Sequence, residues 1–233
     1  IKPGINVLQE YSIKTLSQYI DWSPFFHAWE FKGKYPDILH DDKFGDQTKR
    51  VFDDGQKLLH QIIEENLLTA NGVVGLFPAQ SQNDDIIVEA PSCSYLLHCL
   101  RQQVDKGTKK PAMCLSDFIA PVNSCKKDWI GAFAVSAGFG TEKIAENFKS
   151  NNDDYSAIMI KILADRLAEA FAEYLHELVR KDYWGYSPDE SIDIDRMFQE
   201  KYQGIRPAPG YPACPDHTEK ITLFEMLNVT ENT

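Results

Sequence analysis

Apolar residues recur at helical spacing over two long stretches of this chain, and short β-rich runs lie between them. Over residues 47–67 the positions Val51, Leu58, Leu59, Ile62 and Ile63 predict a helix, with Asp46 placed to cap it and Gly55 weakening its middle. The longest periodic segment covers residues 153–184 and stops at Gly185; as a helix rising 1.5 Å per residue it would be about 45 Å long. Leu163, Leu167, Ala170, Phe171, Tyr174 and Leu178 mark its apolar stripe. At about 100° per residue Glu169 falls on nearly the opposite side, beside Ile158, Ile162 and His176. That second face is not purely polar in its first half, which predicts cover on both sides there.

Between the helices, Asn71-Gly72 reads as a turn. Residues 73–77 and 85–89 then predict strands joined by a polar loop, and 94–100 and 128–135 add two more. Residues 141–148 predict a short helix capped by Thr141. The first twenty residues give an extended segment and a short helix. In Asp21-Trp22-Ser23-Pro24, Ser23 suits an N-cap and Pro24 the first helical position, which puts Asp21 at the mouth of a helix. The pattern as a whole is α+β: a single bent domain with a twisted, mainly antiparallel sheet flanked by helices.

Composition narrows the function classes. A chain of 233 residues, 43% hydrophobic and 25% charged, is an ordinary globular composition and can bury a large core, as one big domain or two small ones. No apolar run approaches the roughly 20 residues of a membrane span, and no signal-peptide pattern opens the chain, so a soluble protein is expected. A net charge of −11 and a pI near 5.0 repel polyanions and argue against nucleic acid as a partner. The basic pairs Lys109-Lys110, Lys126-Lys127 and Arg180-Lys181 read as solvated loops or helix ends, or else as parts of a docking patch. Five cysteines in irregular spacing, without a CxxC, fit reduced thiols in a cytoplasmic protein. Cys214 and His217 could in principle offer two metal ligands, but no second pair stands at a suitable distance.

Residues 204–219 are the most unusual local sequence. Four prolines fix their own φ and push Arg206, Ala208, Tyr211 and Cys214 toward extended geometry. The stretch reads as a stiff wall with one guanidinium and one phenol projecting from it. The free backbone groups of Ala208, Gly210 and Tyr211 would then be available to a ligand, and Gly210 would allow close approach. The alternative is a proline-rich surface turn, with Arg206 in a salt bridge and Tyr211 packed on a neighbour.

The run RPAPGYPACPDHTEK, together with DWSPFF from Asp21, GVVGLFPA from Gly72, DDY from Asp153 and ADRLAEAFAEYLHE from Ala164, resembles the S-adenosylmethionine-binding activation domain of cobalamin-dependent methionine synthase. The blocks occur in order over almost the whole chain. The resemblance implies a cofactor-binding site for S-adenosylmethionine in a shallow groove, contacted by Asp21, Glu169 and Arg206, with Ala208 and Tyr211 as backbone and aromatic parts of the wall. A guanidinium suits the ligand's α-carboxylate, and carboxylates suit its ammonium and sulfonium. No residue need act as nucleophile or base, because catalysis by such a domain is positioning.

The implied role is reactivation of oxidised cob(II)alamin. The partners implied are the cobalamin-binding module of the same polypeptide and a flavodoxin-like or diflavin reductase. Cobalamin, and the zinc used on homocysteine, would be held by other modules. The family pattern continues beyond the Thr-Glu-Lys helix into a segment with a Tyr-Phe-Ser block, which implies that residues 1–233 lack the end of the domain. The alternative function is a non-catalytic scaffold that docks the reductase or the cobalamin module.

Overall fold

A computed structural model describes residues 1–103, 107 and 111–233. Lys109 and Lys110 lie outside the described residues. In chain order the elements are β1 (Gly4–Leu8), α1 (Ile13–Leu16), α2 (Ser23–Ala28), α3 (Gly45–Glu64), β2 (Thr69–Gln82), β3 (Asp85–Glu89), β4 (Ser94–His98) and β5 (Asp128–Phe139). They continue with α4 (Thr141–Ser150), α5 (Asp154–Leu178), α6 (Ile194–Phe198), α7 (Glu219–Leu227) and α8 (Val229–Asn232). The fold is the expected mixture of helices and an open antiparallel sheet.

β2 is the spine of that sheet. β5 runs along one of its edges from Thr69↔Phe139 to Ala79↔Asp128, while β1 and β3 share the other. β4 extends the sheet beyond β3. Pro78 sits in the interval between the last partner in β1, opposite Leu76, and the first in β3, opposite Ala79. A residue without an N–H is tolerated in an interior strand at such a gap.

β2 reads as a continuous apolar run because both of its faces are buried. Val74 and Leu76 face a core built with Leu163, Leu167 and Phe171 of α5 and with Phe25, Phe26, Leu59 and Ile62. Val73 and Phe77 face a second core closed by Met226, Leu227 and Val229 at the end of the chain.

Asn71-Gly72 is not a turn. Both residues lie inside β2, where the ring of Phe171 stands 2.9 Å from the place a Cβ on Gly72 would take. The Asn71 side chain accepts from the backbone N–H of Glu10 and donates to the carbonyl of Thr233. The glycine answers a close approach between sheet and helix, and the asparagine ties both ends of the chain to the strand.

Three helix starts differ from expectation: the residues at the caps of α2, α3 and α4 are Trp22, Phe44 and Gly140, and none makes a side-chain capping bond. α2 begins at Ser23, but the carboxylate of Asp21 accepts from the Ser23 N–H at 2.9 Å, and the Ser23 hydroxyl accepts from the N–H of Tyr35. α3 starts after Phe44, with Asp46 in its first turn and not at its cap. α4 follows Gly140, and the hydroxyl of Thr141 is buried with no partner among the described residues.

The long helix is close to its predicted span. Asp153 caps it by accepting from the N–H of Ser156 at 2.9 Å, and at Leu178 the helix widens into a π-helical turn, Val179–Tyr183, before Gly185 ends it. Its second face is covered in the second half and not the first. Ile158 is 50% exposed, whereas His176 and Arg180 are buried beneath the chain that follows the helix. No helix among the described residues is long and apolar enough to cross a membrane.

Candidate functional site

The second face of α5 carries Arg166, Glu169, Glu173 and His176, and Arg180 of the π-helical turn continues the series, the residues being spaced three or four apart so that they form one row. The first three line a groove of about 130 Å³. Tyr19, Asp21 and Pro24 close it from the start of α2, and Phe198 of α6 closes it from the other side. Asp21 and Glu169, far apart in sequence, therefore face the same space. One carboxylate oxygen of Asp21, Oδ1, accepts from the N–H of Ser23, while its Oδ2 has no partner among the described residues.

Arg206 does not line the groove itself. It reaches it through Glu173, whose Oε1 accepts from Arg206 Nη2 in a short charge-assisted bond. Both side chains are 17% exposed. Burial holds the Glu173 carboxyl above the usual carboxylate range, and the guanidinium of Arg206 offsets part of that shift. The salt bridge allowed by the surface-turn reading is thus present, and it is made to a groove residue.

Ala208 and Tyr211 are not brought into the groove. The Ala208 carbonyl accepts from the Tyr211 N–H at 3.0 Å and from the Cys214 thiol at 3.1 Å, and the Gly210 N–H donates to the Cys214 carbonyl at 2.9 Å. Of the three N–H groups expected to be free, only that of Ala208 lacks a partner among the described residues. The side chain of Tyr211 projects outward, leaving the residue 62% exposed. Gly210, with φ at +105°, makes room for the imidazole of His217 of the same chain, not for a ligand.

The row on α5 continues into a closed polar cluster. Arg180 is fully buried and donates from Nε and Nη2 to both oxygens of Glu190 at 2.6–3.0 Å. Tyr202 lies over the guanidinium at 4.3 Å, and His176 meets the edge of the same ring at 4.8 Å. This removes Arg180 from any docking patch, and Lys181 is bonded to Glu177 at 3.1 Å. Lys126 and Lys127 remain exposed.

His176 is held neutral, its pKa lowered to about 3 by burial first and then by the charges of Arg180 and Arg206. Unfolded, it would take up a proton near pH 6.5, so its neutral burial supports the fold fully above that pH and loses support as pH falls. The stability gap between wild type and His176→Gln is expected to shrink by up to about 1.4 kcal/mol for each pH unit between 6.5 and 4, measured by urea denaturation. A gap that does not change with pH would mean that His176 titrates alike in both states.

Sequence reasoning placed Asp21 and Glu169 in the groove but missed Arg166, Glu173, Tyr19, Pro24 and Phe198. The signal for two of these was available. Arg166 and Glu173 stand three before and four after Glu169, one turn away on either side.

Two comparisons bear on this arrangement. A family model described as the vitamin B12 dependent methionine synthase activation domain matches residues 12–233. The crystal structure of the MetH reactivation domain bound to AdoHcy is similar to this chain with a TM-score of 0.92 and 49% identity, covering 100% of this chain and 72% of that one.

Proposed function

The chain belongs to the activation-domain family of vitamin B12 dependent methionine synthase, and from that premise we propose that its groove binds S-adenosylmethionine and presents the methyl group to cobalamin held by another module. The observation that carries the reading is that Asp21, Glu169 and Glu173 line one groove, with Arg206 bonded to Glu173 beside it. The ligand brings one carboxylate and two cationic centres, the ammonium and the sulfonium, and the groove offers both complementary signs. The relative was crystallised with AdoHcy, which keeps the carboxylate, ammonium and adenosine and lacks only the transferable methyl group and the charge on sulfur.

In this reading Arg206 takes the ligand carboxylate, and Asp21 and Glu169 face its cationic centres. Ala208 and Tyr211, outside the groove, are assigned to the adenosine end of the ligand on the strength of the family resemblance, the Ala208 N–H having no partner among the described residues. The sulfonium is already a good leaving group, so these residues need not move a proton. They orient the methyl carbon and hold the charges that fix it. In the overall reaction one external electron and the methyl cation of S-adenosylmethionine convert cob(II)alamin to methylcobalamin, releasing S-adenosylhomocysteine. A flavodoxin-like or diflavin reductase is the class of protein that supplies the electron. Lys126 and Lys127, exposed together on an otherwise acidic protein, suit the acidic surface such donors carry.

Titrating S-adenosylmethionine into the chain by calorimetry tests the proposal, with saturable one-to-one binding expected. Asp21→Asn is expected to weaken it by about ten- to a hundredfold, the range of a lost charge-assisted bond, and to weaken an analogue lacking the α-ammonium far less. Absence of any heat with the wild-type chain would overturn the reading.

A further inference from the structure

We propose that Glu173 is a positioning residue for the ligand carboxylate: it fixes the Arg206 guanidinium so that its unused edge faces the groove. The inference rests on the S-adenosylmethionine reading given above. The two arginine pairs of this region differ in a way that supports it. Arg180 is engaged at Nε and Nη2 by both oxygens of Glu190, a two-point pair that leaves only its buried Nη1 without a partner among the described residues. Arg206 is engaged at a single nitrogen, Nη2, by a single oxygen of Glu173. Its Nε and Nη1 have no partner among the described residues, and a guanidinium takes a carboxylate best by two parallel N–H donors. Nη2 carries two N–H groups, one on each two-point edge of the guanidinium, so a one-point contact to it holds the group while leaving the other edge, Nη2 paired with Nη1 or with Nε, available.

Glu173 is suited to the task by its own setting. It projects from α5, whose neighbouring positions Ala170 and Phe171 are buried in the core, so its backbone is fixed by the fold. Arg206 comes instead from an irregular segment with no helix or strand around it. A long side chain on such a segment has many rotamers, and ordering it when ligand arrives would weaken binding. Glu173 Oε2 is buried and without a hydrogen-bond partner among the described residues, so the carboxyl points inward with one oxygen committed to Arg206 and none to solvent. A carboxylate placed to compete with the ligand would be expected to cover the two-point face, and this one does not.

The test compares dissociation constants for S-adenosylmethionine and for its decarboxylated form, in wild type, Arg206→Ala, Glu173→Gln and Glu173→Asp, with folding followed by circular dichroism. Glu173→Gln is expected to weaken S-adenosylmethionine at least tenfold more than the decarboxylated ligand, in the same direction as Arg206→Ala. Simple removal of a negative charge predicts the reverse, because the carboxylate would then bind better relative to the purely cationic ligand. A shift in that reverse direction, an equal loss on both ligands, or no shift at all would overturn the inference. Should Glu173→Gln fail to fold, Glu173→Asp gives the same readout, since a carboxylate one methylene shorter draws Arg206 out of place. If wild type binds S-adenosylmethionine and Arg206→Ala discriminates between the ligands while neither Glu173 variant does, only this inference fails. If wild type binds neither ligand, the functional reading fails with it.

Discussion

Arg180→Met is expected to lower the stability of the domain by about 3–5 kcal/mol, the cost typical of removing one partner from a buried ion pair. Arg180 is completely buried and Glu190 is 6% exposed at its side chain, so the substitution leaves a carboxylate with no solvent and no counter-charge. The carboxyl must then take a proton or draw in water, and the ring of Tyr202 loses the cation it covers. Urea denaturation checks the value. Arg180→Met combined with Glu190→Gln should recover most of the loss, since the cost lies in the orphaned charge more than in the missing attraction. A single-variant loss under about 1 kcal/mol would place the pair in the class of exposed salt bridges and contradict the burial.

Arg206→Ala has the larger functional effect. Loss of a charge-assisted bond is worth roughly 1.5–3 kcal/mol, so S-adenosylmethionine affinity is expected to fall about ten- to a hundredfold or more. The accompanying loss of stability should be smaller than for Arg180, because burial already holds the Glu173 carboxyl toward its neutral form and it can take a proton when the guanidinium is gone. Arg206→Lys should also bind poorly, since an ammonium cannot make the planar two-point contact. Calorimetry beside a thermal melt separates the two effects. Unchanged affinity in a folded variant would remove Arg206 from the site.

The parts of this structure that were legible in the sequence are those set by a long local pattern. The 3.6-residue stripe of α5 and its glycine stop gave its limits to within a few residues, and the β-rich runs at 73–77 and 85–89, joined by a polar loop, lie in the antiparallel pair β2 and β3. Asn71-Gly72 misled because turn chemistry and close packing both select glycine, and only the position of Phe171 tells them apart. Arg180 misled because a basic pair at a helix end looks solvated until a later residue, Glu190, folds back over it.

At the site, Asp21 and Glu169 were legible through the resemblance, and their shared groove is a product of tertiary folding. The wall was overread: its backbone donors were expected to face a ligand, but a tight turn closed by Cys214 uses two of the three internally. Such a turn is made of contacts between near neighbours, and it leaves no periodic trace.

The groove has two sides of unequal mechanical character. Its floor belongs to the helix most deeply set in the protein, where any displacement would disturb core packing along the whole length of α5. Its rim at Phe198 is followed by the stretch between α6 and α7, which lies outside the groove and is held by point contacts such as Arg206 to Glu173, Tyr186 to the Gln203 carbonyl and the turn at Cys214. Breathing that admits or releases a small molecule therefore belongs to the rim, and the floor acts as a fixed reference against which a reactive carbon can be aimed at a neighbouring module.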